Sequence, residues 1–330
     1  MKIPPKYSIT PQMTEFIAKI ESQRLYLASF DLPKPVIEKI QRISLLKSSL
    51  YSARIEGNTL ELADLEKEDA KSRRKLEVSN ILDAMRYIDT RVSRGNINTG
   101  LLLKLHALTL NNISGDAGHL RVESSAIFNQ AGFAVYVAPG PAQIKKLIKS
   151  LLSYINSDKE KFPLAAAFIS HLVFEKTHPF LDGNGRVGRL LIAAILKAKG
   201  WDFTFCVPFE KYLDEHKEEY YSYLDTGLKD TNEYLLFMLK AFLYQIEEVR
   251  AQVEAEVGKK SLFLPPRQEE IYNIISDHKT VSFDSIKRRF TRVPQRTLRY
   301  DLKKLVDKGL VEKSGETRGR HYRVINKDKG

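Results

Sequence analysis

The stretch His178-Pro179-Phe180-Leu181-Asp182-Gly183-Asn184-Gly185-Arg186-Val187-Gly188-Arg189 constrains this chain more than any other. It separates two strongly apolar segments, 163–176 and 187–199, both spaced as helices, the second stopped by Gly200. A charged, glycine-rich turn between two such helices is costly unless it binds something. Its glycines let the backbone come close to a ligand. It runs into a helix N-terminus, where free N–H groups and the helix dipole favour an anion. Arg186 and Arg189 add positive charge one helical turn apart. Asp182 supplies hard oxygen ligands, which next to phosphates suit Mg2+, and His178 can take a proton near neutral pH. A base, a metal carboxylate, an anion cradle and two arginines form a set for transferring a phosphate-bearing group.

Other readings of the stretch fit less well. Gly183, Gly185 and Gly188 match G-x-G-x-x-G, and Asp202 follows, as in a dinucleotide fingerprint. That fingerprint needs a strand before it in a βαβ unit, whereas a helix and His-Pro stand here. The chain lacks G-x-x-x-x-G-K-[ST], which excludes a P-loop. A merely structural turn leaves two arginines and a histidine without partners.

The rest of the first 257 residues reads mostly as helix. Over 35–56, Val36, Ile37, Ile40, Ile43, Leu46 and Leu50 recur at helical spacing, and Gly57-Asn58 suits the helix end. The segments 76–88, 100–110 and 233–257 show similar patterns. Residues 120–141 alternate loosely around Ile127, Phe128, Phe133, Val135 and Val137, which predicts a hairpin or extended flap. Gly258 and Pro265-Pro266 mark a linker. Beyond it, helices at 268–276, 284–289 and 294–307, then strands at 310–313 and 321–324 around a turn at 315–319, predict a winged helix-turn-helix. No internal repeat or low-complexity segment interrupts the chain.

Charge placement matters more than the total of +12. Residues 261–330 hold 17 Lys+Arg and 9 Asp+Glu, whereas residues 1–260 hold 36 and 32. A basic C-terminal domain suggests a polyanionic partner. On the third of its helices, Arg296, Arg299 and Lys303 share a face, and Arg318, Arg320 and Arg323 fall on the expected wing. This pattern points to double-stranded DNA, although winged helices also bind proteins. The single Cys206 excludes a disulfide framework and a cysteine-rich zinc site. It is expected in buried packing, and His171 in the core or behind the site. No signal peptide and no membrane span are expected.

The central stretch resembles the Fic family signature H-x-F-x-[DE]-G-N-G-R-x-x-R at every defined position, and the likeness extends over roughly residues 40–240. The resemblance implies transfer of AMP from ATP to a protein Ser, Thr or Tyr hydroxyl and leaves self-modification open. His178 would then be the general base and Asp182 would hold Mg2+. Gly183, Asn184 and Gly185 would form the anion hole, and Arg186 and Arg189 would grip the β- and γ-phosphates. Gly118 and Arg121 precede the flap and Pro139 closes it. The flap, with Ile127, Phe128, Val135 and Tyr136, would hold the target by strand addition. Tyr220 or Tyr221 would pack on adenine. Family habit adds a bacterial cytoplasm and leaves a homodimer open.

Ser52-Ala53-Arg54-Ile55-Glu56-Gly57 is a second signal. An acidic group ending a helix opposes the dipole and suggests a nearby cation, and Ser52, four residues earlier, could orient it. Many helix-terminal glutamates are simply solvated. The stretch nonetheless resembles the Fic inhibitory motif [ST]-x-x-x-E-[GN], which implies that Glu56 pairs with Arg189 and blocks the γ-phosphate. In some relatives the same glutamate supports AMP removal. The rival reading is a DNA-binding regulator whose Fic-like domain senses nucleotide; an intact base and Gly185-Arg186 favour the enzyme.

The expected architecture is mainly α: a helical Fic-fold domain with a β-hairpin flap, plus a small α+β winged helix. The expected divisions are an N-terminal helical region over 1–110 with the inhibitory helix at about 36–58, a catalytic core over 111–257, a linker over 258–266 and the winged helix over 267–330.

Overall fold

The computed structural model describes residues 1–65, 72–95, 97–128, 134–258, 264–278, 280–291, 293–315 and 321–325. Its helices are α1 (Pro11–Ala28), α2 (Lys34–Ile55), α3 (Arg73–Arg91), α4 (Thr99–Thr109), α5 (Pro141–Ile155), α6 (Pro163–Thr177), α7 (Asn184–Ala198), α8 (Glu210–Glu215), α9 (Lys217–Thr226), α10 (Thr231–Gly258), α11 (Pro266–Asp277), α12 (Phe283–Arg289) and α13 (Gln295–Asp307). The strands are β1 (Ala126–Phe128), β2 (Ala134–Val137), β3 (Val281–Ser282), β4 (Val311–Ser314) and β5 (His321–Val324). Among the described residues, no helix is long and apolar enough to cross a membrane.

The chain divides into two units, Met1–Glu256 and Val257–Gly330. The expected boundary between 1–110 and 111–257 does not appear as a division. One continuous core joins Met13, Leu50, Ile81 and Leu102 to Phe168, Leu191 and Phe242. The centre of this core is α6, in which every residue from Leu164 to Thr177 is buried. A helix buried all round needs neighbours on every side, and α7, its main partner, carries the join across the expected boundary, because α3 and α4 pack on it while α2 packs on α8. Its hydroxyls bond within the helix, Ser170 to the Ala166 carbonyl and Thr177 to the Val173 carbonyl. α7 makes the most extensive packing with it.

Helix α2 reaches one residue short of Glu56 and closes in a Schellman motif. The Asn58 N–H bonds the Ala53 carbonyl and the Gly57 N–H the Arg54 carbonyl. Gly57 has φ +97°, which a side chain would oppose. Side chains then fix this end: Arg54 donates to Asp214 at 2.9 Å, and Asn58 bonds the Arg74 carbonyl and Glu77.

The flap is antiparallel, pairing Ala126 with Val137, Ile127 with Tyr136 and, past a bulge, Phe128 with Ala134. Its tip lies outside the described residues.

In the second unit, α11, α12 and α13 enclose Ile271, Ile275, Ile286, Leu298, Leu302 and Leu305. An antiparallel sheet ordered β3-β5-β4 covers them with Val311 and Tyr322. Strand β3, two residues long, carried no alternation to reveal it. Asp301 is buried and accepts from Arg267 and Gln268, which ties α13 to α11. Arg296, Arg299 and Lys303 are exposed on α13 as expected. Arg318 and Arg320 lie outside the described residues, and Arg323 pairs with Glu312.

Candidate active site

The site is built where α6 ends and α7 begins. Both ends of the connecting turn are left-handed: His178 caps α6 at φ 47°, ψ 61°, and Gly183 caps α7 at φ 78°. Histidine is among the non-glycine residues that tolerate this region, at modest cost. The turn is closed from inside by Asn184. Its Oδ1 accepts from the Phe180 N–H at 2.9 Å and its Nδ2 donates to the Phe180 carbonyl at 2.8 Å. This corrects the expectation for Asn184, whose side chain is committed to the turn and does not face an anion.

His106 of α4 supports the same turn and was not singled out from sequence. Its Nδ1 accepts from the Gly118 N–H at 2.9 Å, so the proton belongs on Nε2, which donates to the Asp182 carbonyl at 3.0 Å. Burial holds this imidazole below its ordinary range, consistent with the neutral form. Its ring stacks on Phe180, with centroids 3.7 Å apart.

Arg121 joins flap to turn. It is buried, and among the described residues its guanidinium donates to three carbonyls: His178 at 2.7 Å, Glu123 at 2.6 Å and Pro139 at 2.6 Å. Its own N–H bonds the Pro179 carbonyl. One side chain thus clamps both ends of the flap to the backbone of His178. Tyr136 adds a second tie. Its hydroxyl donates to the Lys176 carbonyl at 2.7 Å, and the Lys176 ammonium lies 4.2 Å from its ring centroid. Tyr136 therefore anchors the flap through its hydroxyl; the side chains of Ile127, Phe128 and Val135, the other residues expected to meet a target, lie outside the described residues.

His178 is half-buried at the mouth of this turn. Burial pushes its imidazole below the ordinary range, and the nearby Arg121 charge pushes the same way. Asp182 is well exposed. Its Oδ1 accepts from the Gly183 N–H at 2.6 Å and from Arg186 at 2.8 Å.

Glu56 and Arg189 meet as expected. Arg189, 1% exposed in its side chain, donates from Nη2 to Glu56 Oε1 at 2.9 Å and to the Ser52 carbonyl at 2.8 Å. Its Nε donates to Ser52 Oγ at 3.0 Å. Ser52 therefore orients the arginine, which corrects the expectation that it orients the carboxylate. Burial opposes the charge on Arg189 most strongly, but Glu56 together with Tyr220, Tyr221 and Glu175 raises the guanidinium pKa on balance. A Cβ on Gly185 would fall 2.2 Å from Glu56 Oε1 and 3.1 Å from Arg189 Nη1. The carboxylate thus lies against the first turn of α7, at the helix N-terminus that attracts an anion.

Behind Arg189 sits a buried polar group. His171 Nε2 and the Tyr220 hydroxyl are 2.8 Å apart, and His171 Nδ1 lies 3.6 Å from Glu175. Burial holds His171 neutral, at about 3, and Glu175 protonated, at about 8. This corrects the expectation for Tyr220. It is buried, hydrogen-bonded and presents no face to an adenine. Tyr221 is half-exposed and donates to the Ile55 carbonyl at 3.1 Å, tying α9 to the end of α2. Sequence reasoning placed His171 correctly but missed Glu175, whose four-residue spacing from His171 was its one signal.

Residues 96–196 match the model of the Fic/DOC family. Protein adenylyltransferase Fic from Aedes aegypti is 27% identical over 224 residues, covering 63% of this chain. The chain spans only 42% of that relative's length. A Fic family protein from Desulfovibrio desulfuricans has the same fold, with a TM-score of 0.81 at 23% identity over 99% of both chains. Fic-1 from C. elegans gives 0.62 at 20% identity, over 74% of this chain and 73% of that one.

Proposed function

We propose that this chain, whose residues 96–196 form a Fic domain, transfers AMP from ATP to a protein hydroxyl, and that its own Glu56 holds the reaction low. The observation that carries the reading is the juxtaposition of His178 with an anion cradle on α7 that Glu56 fills through Arg189. Protein adenylyltransferases among its relatives support the choice of reaction.

His178, held neutral by burial, accepts the proton from the target hydroxyl. The hydroxyl oxygen bonds to the α-phosphorus of ATP, the bond to the β-phosphate oxygen breaks, and diphosphate leaves. The N–H groups at the start of α7 face the phosphate charge, and Arg189 takes the γ-phosphate once Glu56 withdraws. One carboxylate with an exposed oxygen suits Mg2+, which uses few protein ligands beside phosphates, and Asp182 fits that description. The ion, when bound there, would neutralise charge on the phosphates. Arg121 and Tyr136 hold the flap so that an extended target segment can add to its free strand edge.

The second unit supports a further role as a DNA-binding winged helix. Arg296, Arg299 and Lys303 stand exposed on α13, the helix that would enter a major groove.

The test is incubation of the chain and His178→Ala with ATP labelled at the α-phosphate, Mg2+ and cell lysate. Label on protein that His178→Ala abolishes supports the reading. No label, with Glu56→Gly also silent, overturns it in favour of the nucleotide-sensing DNA-binding regulator.

A further inference from the structure

A cavity of about 190 Å3 lies in the helical unit away from His178, walled by α2, α3, α7, α10 and residues 201–210. Its size suits one small ring: an engineered cavity of about 150 Å3 in another protein binds benzene. The walls are unusually aromatic. Trp201, Phe203, Phe205, Phe209 and Phe242 line it; Trp201 and Phe203 meet edge to face with centroids 4.8 Å apart, and Phe203 and Phe242 are tilted with centroids 5.4 Å apart.

Into this apolar space projects one buried carboxylate, Glu210, only 4% exposed. Ser48 donates to its Oε2 at 2.7 Å. Among the described residues, no cation lies within ion-pair distance of it. The nearby Lys197 is taken by Asp89 at 2.8 Å, and both line the same cavity. Burial accordingly pushes the Glu210 carboxyl up to about 7, against the Ser48 hydrogen bond. Asp202 adds a second acidic group at the rim, exposed to solvent. A buried carboxylate without a cation is costly, and aromatic faces attract cations. Trp201 already has the Arg24 guanidinium 5.7 Å from its ring centroid, so it is the carboxylate that calls for a partner.

We infer that this cavity is a binding site for a small aromatic amine, its ring among Trp201, Phe203 and Phe242 and its ammonium group on Glu210. The site touches both helices of the Glu56–Arg189 pair: Leu45 and Ser48 on α2, and Ile192 and Ala193 on α7. A ligand complementary to this packing favours the arrangement in which α2 is docked. On the proposed function, which this last step rests on, occupancy lowers AMP transfer.

Calorimetric titration of the whole chain with benzylamine, and with benzyl alcohol as the neutral isostere, decides the site without reference to activity. Benzylamine should bind saturably and at least about tenfold more tightly than the alcohol, the expected margin of a charge-assisted contact. Glu210→Gln should erase that preference, and Ala193→Phe, which fills the cavity, should abolish binding of both. An unaltered chain that binds no benzylamine, or prefers neither probe, overturns the site, as does a preference that survives Glu210→Gln. The comparison of the two probes on the unaltered chain needs no variant, so a misfolded variant cannot obscure it. Residual AMP transfer that is indifferent to saturating benzylamine overturns the regulatory step alone.

Discussion

Replacing Glu56 by glycine removes the carboxylate that fills the cradle on α7 while leaving the backbone able to keep its turn. The Nη2–Oε1 distance is 2.9 Å, so the charge centres lie roughly 4 Å apart, worth about 4 kcal/mol at an effective dielectric of 20. Arg189 is buried but the Glu56 side chain is 33% exposed, and solvent screening reduces this to roughly 2 kcal/mol. A γ-phosphate that must displace the carboxylate faces that cost. Its removal should raise kcat/KM for ATP by about 30-fold. Glu56→Gln keeps an acceptor without the charge and should give a smaller rise. Ser52→Ala loses one hydrogen bond to Arg189, so its rise should be smaller still. Arg189→Ala removes brake and grip together and should be slow with or without Glu56. The assay is the initial rate of α-phosphate label transfer below saturating ATP. Equal rates for the unaltered chain and Glu56→Gly would refute the reasoning, because the pair would then not compete with nucleotide.

Four further outcomes follow from the same geometry. In the Glu56→Gly background, the acid limb of kcat/KM should fall below pH 6.5, because burial lowers His178 from that value; a limb at higher pH contradicts His178 as the neutral base. Gly188→Ala places a Cβ 2.0 Å from Glu175 Oε1 and 2.8 Å from His171 Nδ1, and should destabilise the chain by about 1–3 kcal/mol, read from the denaturant midpoint. Glu175 is raised from 4.5 to about 8, so the folded state binds the extra proton and stability is lost as pH rises through that window. Glu175→Gln should remove this loss, so that its thermal midpoint gains on the unaltered chain between acidic and alkaline buffers. Finally, Arg299→Ala with Lys303→Ala should weaken duplex DNA binding by the whole chain and flatten its salt dependence in a mobility-shift series.

The helical periodicity was readable because it is local: 163–176 and 187–199 matched α6 and α7 within a few residues, and 35–56 matched α2 to within one at either end. The basic face of α13 was readable for the same reason, since residues three and four apart share a face wherever the helix lies. The pairing of Glu56 with Arg189 was legible only through the resemblance of two motifs, because nothing local joins residues 133 positions apart. The fate of two other polar side chains, Asn184 and Tyr220, was not legible at all. Asn184 turned inward onto Phe180, and Tyr220 was buried against His171.

The sequence by itself determined which chemical groups this chain owns and that a glycine-rich, charged turn must join two buried helices. Tertiary structure decided which of those groups remain available. α6 is buried on all sides, α2 and α4 pack on its partner α7 and bring Ser52 and His106 to the turn, and the segment before the flap brings Arg121. Each buried polar atom then takes whichever partner that packing brings within reach.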